Sequence, residues 1–156
     1  MTIQIDSREK PQARERIQNQ FIQRGVKFYV SKMWVGDYGS LDNARLAIDR
    51  KQNLSEVCSN LCQQHERFRA ECVRAQEADI RLIFLVEHGR GIESLEDVKR
   101  WQNPRRKTSP KATNGEQLAK AMQTMAERYG IEWLFCDPAV TGFEIVRLLD
   151  NGKEGV

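Results

Sequence analysis

Apolar residues along this chain switch between two periods, and the switches mark an alternating string of strands and helices. Ile3 and Ile5 alternate with polar neighbours, which predicts a short strand. Pro11 then opens a helix of about 14 residues that closes near Gly25, with proline in the first turn and glycine past the last. Residues 26–34 (VKFYVSKMW) are rich in β-branched and aromatic types and predict a strand. Residues 38–41 and 45–50 predict two more, joined around Asp42 and Asn43, and the three together suggest an antiparallel meander. From Leu54 to Ala78 the spacing becomes helical, as one long helix or as two with a break near Gln63. Residues 80–86 (IRLIFLV) form a nearly continuous apolar run, the pattern of a parallel strand buried on both faces. A short helix over 94–101 capped by Ser94, a helix over 116–129, a strand over 131–136 and a helix over 139–150 complete the string. This order predicts a three-layer α/β domain over residues 1–150, with a flexible tail over 151–156.

Composition narrows the class. No run of 18 apolar residues exists, so no membrane span is expected. The N-terminal MTIQIDSREK has no apolar signal region, so a cytoplasmic protein is expected. Four cysteines without a C-x-x-C pair, and only two histidines, argue against a structural zinc site. Cys58, Cys62 and His65 fall at metal-compatible helical spacing, but their stripe also carries Leu61 and Phe68, which favours core packing. His88 in the turn EHGRG reads as a loop residue rather than a phosphate contact.

The net charge of +3 permits nucleic-acid binding without requiring it, so local distribution decides. Residues 99–111 hold Lys99, Arg100, Arg105, Arg106, Lys107 and Lys111 with no acid. Prolines interrupt the run, which predicts a mobile basic loop reaching to Gly115. It is either a solvated charge run or a phosphate-binding surface. Trp101 within it stacks on an unpaired base or anchors the loop to the core; anchoring is favoured.

The chemistry concentrates in GDYGSLDNARLAIDRK, residues 36–51. A short loop between the two strands places Asp37 opposite Asp49, and strand alternation puts Asp49 and Lys51 on one face. Two carboxylates and an ammonium brought together can hold Mg²⁺ beside a phosphodiester. Each element has a plainer reading: Gly-Asp-Tyr as a turn, Asp49 and Lys51 as a solvated charge pair. Asp49 follows Leu46, Ala47 and Ile48, which disfavours a plain surface. Residues 5–9 (IDSRE) add acids and an arginine at another strand end.

IDSRE, then VGDY (35–38), then IDRK (48–51) before a helix, together resemble the nuclease domain of the XPF-type structure-specific endonucleases. RFRAECVRAQEADIRLIFLVE (67–87) resembles the helix and strand that follow in that family. The resemblance implies a restriction-endonuclease-like fold, a mixed central sheet flanked by helices. It implies a metal-dependent endonuclease acting on branched or forked DNA in recombination or repair, with Mg²⁺ as cofactor and Mn²⁺ able to replace it. By position it makes Asp37, Asp49 and Glu9 metal ligands, Lys51 the catalytic lysine, and Asp6 an acid near the metal. Arg8 and Arg50 match basic positions near the scissile phosphate. Two positions depart from the pattern. Asp49 stands where the family has glutamate, and Ser55 stands where a last acid is expected, with Glu56 one residue on. Ser55 alternatively caps its helix. The resemblance also implies a homodimer and a protein partner for targeting. No DNA-binding helix-hairpin-helix module is expected, and the compact form suggests a prokaryotic or phage source. A non-catalytic DNA-binding or scaffold subunit on the same fold is the alternative. A sequence-specific restriction enzyme is disfavoured because it needs a larger recognition region.

Overall fold

A computed structural model describes residues 1–89 and 91–151; the expected tail lies outside them from residue 152 onward. Strand β1 (Thr2–Asp6) leads into helix α1 (Pro11–Gln23), then β2 (Lys27–Ser31), β3 (Tyr38–Ser40) and β4 (Asn43–Lys51). Helices α2 (Leu54–Cys62) and α3 (His65–Glu77) precede β5 (Arg81–Glu87). The short α4 (Leu95–Val98), α5 (Gly115–Tyr129), β6 (Glu132–Cys136) and α6 (Thr141–Asn151) follow. The segment from Leu54 to Ala78 is thus two helices, broken at Gln63 and Gln64.

The six strands form one mixed sheet in the order β2-β1-β3-β4-β5-β6. β3 runs antiparallel to both β1 and β4, whereas β4, β5 and β6 are mutually parallel. One expectation fails here. β2 does not join a meander; it pairs in parallel with the far side of β1. The intervening α1 returns the chain to the starting edge, so β2 runs in the same direction as β1. Composition identified β2 as a strand but carried no information about its partner.

Strand alternation divides the interior into two cores. Leu46, Ile48, Ile83 and Leu85 pack against Ile17 and Phe21 of α1 and Ile145 and Leu149 of α6. Ala47, Leu82, Phe84 and Val86 face the opposite side, under Leu54, Val57 and Leu61 of α2, Phe68 and Cys72 of α3, and Met122 of α5. Phe84, Phe68 and Trp133 stack in a triangular cluster, with centroid distances of 4.7 Å (Phe68–Phe84), 4.8 Å (Phe84–Trp133) and 5.8 Å (Phe68–Trp133). The result is helix, sheet, helix, the three-layer arrangement expected.

The segment expected to be a mobile loop is instead built of turns. Trp101 is half-buried against the core, the anchoring role favoured for it. Asn103 is buried, accepts from Arg105 N–H at 3.0 Å and donates to Thr113 O at 2.8 Å, so it caps a 3-10 turn over Pro104–Lys107 and closes the loop. Gly115 brings the start of α5 against the end of α4; a Cβ there would stand 2.6 Å from Val98 O and 2.7 Å from Lys99 O.

Candidate active site

The site begins with the hairpin of β3 and β4. Tyr38 pairs with Ile48 and Gly39 with Ala47, and a register shift follows before Ser40 meets Asn43. Extending the first two pairs places Asp37 opposite Asp49, as the sequence predicted. Two bonds fix this placement. Asp37 N–H donates to Ile48 O at 2.8 Å, and Arg50 N–H donates to Asp37 Oδ2 at 2.8 Å. Gly36 is required just before, because its φ is +74° and a Cβ would meet Ile48 O at 3.0 Å and Ala47 Cβ at 3.1 Å. The loop can therefore lie close over β4 and turn Asp37 inward.

Asp49 and Lys51 share the face of β4 that carries Ala47, beneath α2 and α3. Lys51 Nζ lies 3.1 Å from Asp49 Oδ1. It also sits 5.4 Å from the Phe84 ring centroid and 5.9 Å from that of Phe68. Phe84 of β5 and Phe68 of α3 thus pack near the ammonium from the sheet and from the helix layer. Glu71 of α3 closes the group from above: it accepts Gly36 N–H at 3.2 Å and interacts with both Asp49 and Lys51. The four groups open into a cleft of about 550 Å³ whose rim also carries Arg8, Lys32, Arg67 and Arg74.

Crowding of charge in this half-dry space shifts proton affinities. Burial, followed by repulsion from Asp49 and Glu9, pushes the Asp37 carboxyl well above the usual carboxylate range. Asp49 is also pushed well up, by burial first, with Lys51 pulling it down and Glu71 pushing it up. Burial disfavours the Lys51 ammonium, yet Asp49 and Glu71 outweigh it and raise its proton affinity. Lys51 is thereby held as a cation. Two carboxylates short of positive charge are the electrostatic description of a divalent-cation site. Among the described residues no group of three or more acidic, histidine or cysteine side chains converges as a complete metal cage. Mg²⁺ does not require one, since it takes one or two carboxylates and keeps several waters. The donor set therefore fits the group.

The remaining predicted residues divide by strand face. Arg50 points away from Asp49 and Lys51, into the layer under α1 and α6, and is buried. There it donates to Glu9 Oε2 at 3.0 Å and Glu9 Oε1 at 2.9 Å, and pairs with Glu87. Arg16 and Thr141 complete the network on Glu87, at 2.7 and 2.6 Å. Glu9 is thus occupied by Arg50 and does not line the cleft, and Arg50 is not at its surface. Asp6 lines the cleft but serves as a staple: it accepts Met33 N–H at 2.8 Å and Arg8 Nε–H at 2.9 Å.

Lys99 and Arg100 pair with Glu96 and Asp97 of α4. Arg105 and Lys111 line a second hollow on the far side of α2, together with Ser55; Arg106 donates to Ala112 O, and Lys107 is exposed. Ser55 does not cap α2. Asn53 does, accepting Glu56 N–H at 2.8 Å, and Glu56 pairs with Lys10 rather than entering the cleft. The third acid of the site is Glu71, which sequence reasoning missed. Its only signal lay in RFRAEC, where it sits three residues after Phe68 on the helix face that covers Phe84.

Residues 5–149 match the family model of the ERCC4 domain. The chain belongs to the ERCC4 domain family. Among solved structures, XPF from Aeropyrum pernix superposes with a TM-score of 0.68 at 21% identity, covering 98% of this chain and 65% of that one. A second structure, XPF from Aeropyrum pernix in complex with DNA, gives 0.67 at 21% identity, covering 99% of this chain and 66% of that one. At this identity the likeness shows the fold. The ERCC4 domain here spans just under two thirds of those chains. No curated protein matches the sequence. The family and the fold implied by IDSRE, VGDY and IDRK are both borne out.

Proposed function

We propose that this ERCC4 domain hydrolyses phosphodiester bonds in branched or forked DNA, with a divalent metal held by Asp37 and Asp49. The observation that carries the reading is the meeting of two charge-starved aspartates and a cationic lysine at the floor of an open cleft. A bound Mg²⁺ or Mn²⁺ would neutralise the carboxylates and polarise a phosphate. The protein's own groups do the rest. Lys51 lies against Asp49 and is placed to offset charge developing on the phosphate. Glu71 holds the Gly36 loop so that Asp37 stays opposite Asp49, and adds a carboxylate to the cleft wall. Glu9 and Arg50 support the floor from behind through the Arg50 N–H bond to Asp37. Arg8, Lys32, Arg67 and Arg74 supply cations for flanking phosphates. The DNA complex of XPF supports a nucleic-acid partner for the same fold. The family resemblance further supports a homodimer, which sedimentation velocity tests directly.

The second reading is a non-catalytic DNA-binding subunit. One observation favours it: the position where the family has a last acid is Ser55, exposed on the far side of α2. A labelled fork or four-way junction incubated with Mg²⁺ or Mn²⁺ separates the two. Cleavage by the wild type, lost in Asp49→Asn with DNA binding retained, supports the nuclease. A salt-sensitive gel shift without cleavage on forks, flaps, junctions and single strands refutes it in favour of the second reading.

A further inference from the structure

Trp34 is the most exposed large apolar side chain among the described residues, at 69%. It stands in the connection between β2 and β3, and it lines the same cleft as Asp37, Asp49 and Lys51. An indole left in water at a charged cleft gives folding little, so its placement needs another reason. Burial alternates along this connection. Met33 and Val35 are buried at 9% and 3%, which turns Trp34 outward between them.

The connection is also held rigidly. Met33 N–H donates to Asp6 Oδ1 at 2.8 Å, and Met33 O accepts from Arg8 at 3.0 Å. Trp34 O accepts Arg74 Nε–H at 3.2 Å, and Gly36 N–H donates to Glu71 Oε2 at 3.2 Å. Four bonds, two from the end of β1 and the turn after it and two from α3, fix the backbone on both sides of an exposed ring. The Arg74 guanidinium carbon lies 5.3 Å from the ring centroid, so the indole is steadied from one side by a cation. Lys32 and Arg67 line the same cleft.

A rigid, mostly exposed aromatic ring among phosphate-binding cations is the arrangement that holds an unpaired base. We propose that Trp34 is a stacking platform for an unpaired nucleobase beside the cleaved phosphate, so that the site selects DNA with at least one unstacked nucleotide at that point. A duplex offers no free base face to the ring. A fork, flap or junction does. The inference deepens the proposed nuclease reading and rests on it for the position of the cleaved bond.

The test is a thermodynamic cycle on DNA affinity, read by fluorescence anisotropy with the wild-type chain, Trp34→Ala and Trp34→Phe. Asp49→Asn supplies the background, so that no cleavage occurs. Fork DNA carries either a normal base or an abasic spacer, scanned through the unpaired positions nearest the junction. Loss of one stacked base corresponds to about 5- to 150-fold in affinity. The expected result is that Trp34→Ala and one abasic position each weaken binding within this range. Combined, they weaken it no further than either alone, and Trp34→Phe restores most of the loss. Independent, multiplicative effects at every position overturn the platform, as does unchanged affinity in Trp34→Ala. A coupled cycle in the Asp49→Asn background, beside a wild-type chain that cleaves none of these DNAs with Mg²⁺ or Mn²⁺, leaves the platform standing and removes the nuclease reading. Absence of any fork binding removes both.

Discussion

Replacing Asp37 with asparagine separates the electrostatic account of this site from a merely structural one. Asp37 Oδ2 accepts Arg50 N–H at 2.8 Å, and the amide oxygen of asparagine can keep that bond. The substitution therefore removes charge at nearly constant shape. What it relieves is the burial of the carboxylate and its repulsion by Asp49 and Glu9, the causes that push its proton affinity up. Single substitutions that relieve an unfavourable feature commonly gain about 0.5–2 kcal/mol. For a domain of this size each kcal/mol moves Tm by about 2–4 °C. Asp37→Asn is expected to melt about 1–8 °C above the wild type at neutral pH, while losing DNA cleavage. The response to metal should favour the wild type and narrow this gap. A divalent cation at ten times its Kd stabilises the folded wild type by about 1.4 kcal/mol, which is about 3–6 °C. The variant, short of one ligand, should respond much less. Differential scanning fluorimetry with Mg²⁺, Mn²⁺ and a matched monovalent salt measures both effects. A variant less stable than the wild type without metal would refute the claim that Asp37 is electrostatically frustrated. Equal metal responses in the two proteins would refute its role as a ligand.

Four further outcomes follow from the same contacts. Arg50→Gln leaves Glu9 and Glu87 as buried carboxylates without their shared guanidinium, and should cost about 3–5 kcal/mol in urea unfolding. Burial alone would raise the Glu9 carboxyl, but hydrogen bonds from Arg50 outweigh it and hold the group below its ordinary value of 4.5. A depressed carboxyl stabilises fully above its unfolded value and loses this as pH falls through the folded one. The stability gap between wild type and Glu9→Gln should therefore be constant above pH 4.5 and close below it. Glu71→Gln should leave stability within about 1 kcal/mol of the wild type, since the amide oxygen can still accept Gly36 N–H, and should cut cleavage by about 10- to 100-fold, as measured on a labelled fork. Gly115→Ala forces a methyl to within 2.6 Å of Val98 O and should lower stability by about 1–3 kcal/mol in thermal melts.

The hairpin register was legible because strand alternation and short-loop register are local rules. They require only the positions of Asp37, Asp49 and Lys51 within one 16-residue stretch. The same alternation, applied one residue further, shows why Arg50 was misplaced by motif reasoning. Its neighbours in sequence enter the cleft, so it must face the opposite layer, where Glu9 and Glu87 await it. Motif strings record which residues are near in sequence, and a strand separates such neighbours by the thickness of the sheet. The pairing of β2 with β1 was hidden for a related reason: a crossover places partners by the length and packing of α1, which leaves no mark on the strand itself.

Glu71 supplies the cleft with a third carboxylate, from a different helix than the sequence pattern suggested. The expected last acid lies on the first turn of α2, where Ser55 now faces away from the cleft. α3 crosses the same opening from the other direction and places Glu71 over Gly36, Asp49 and Lys51. Asp49, one methylene shorter than the family's glutamate, is met from above by a side chain one methylene longer than aspartate. Asp49 and Glu71 thus share one volume. A paired exchange tests this coupling. If they compensate, Asp49→Glu alone should crowd Glu71 and lower cleavage, and Asp49→Glu combined with Glu71→Asp should recover most of it. Additive losses in the double variant would show that the two carboxylates act independently.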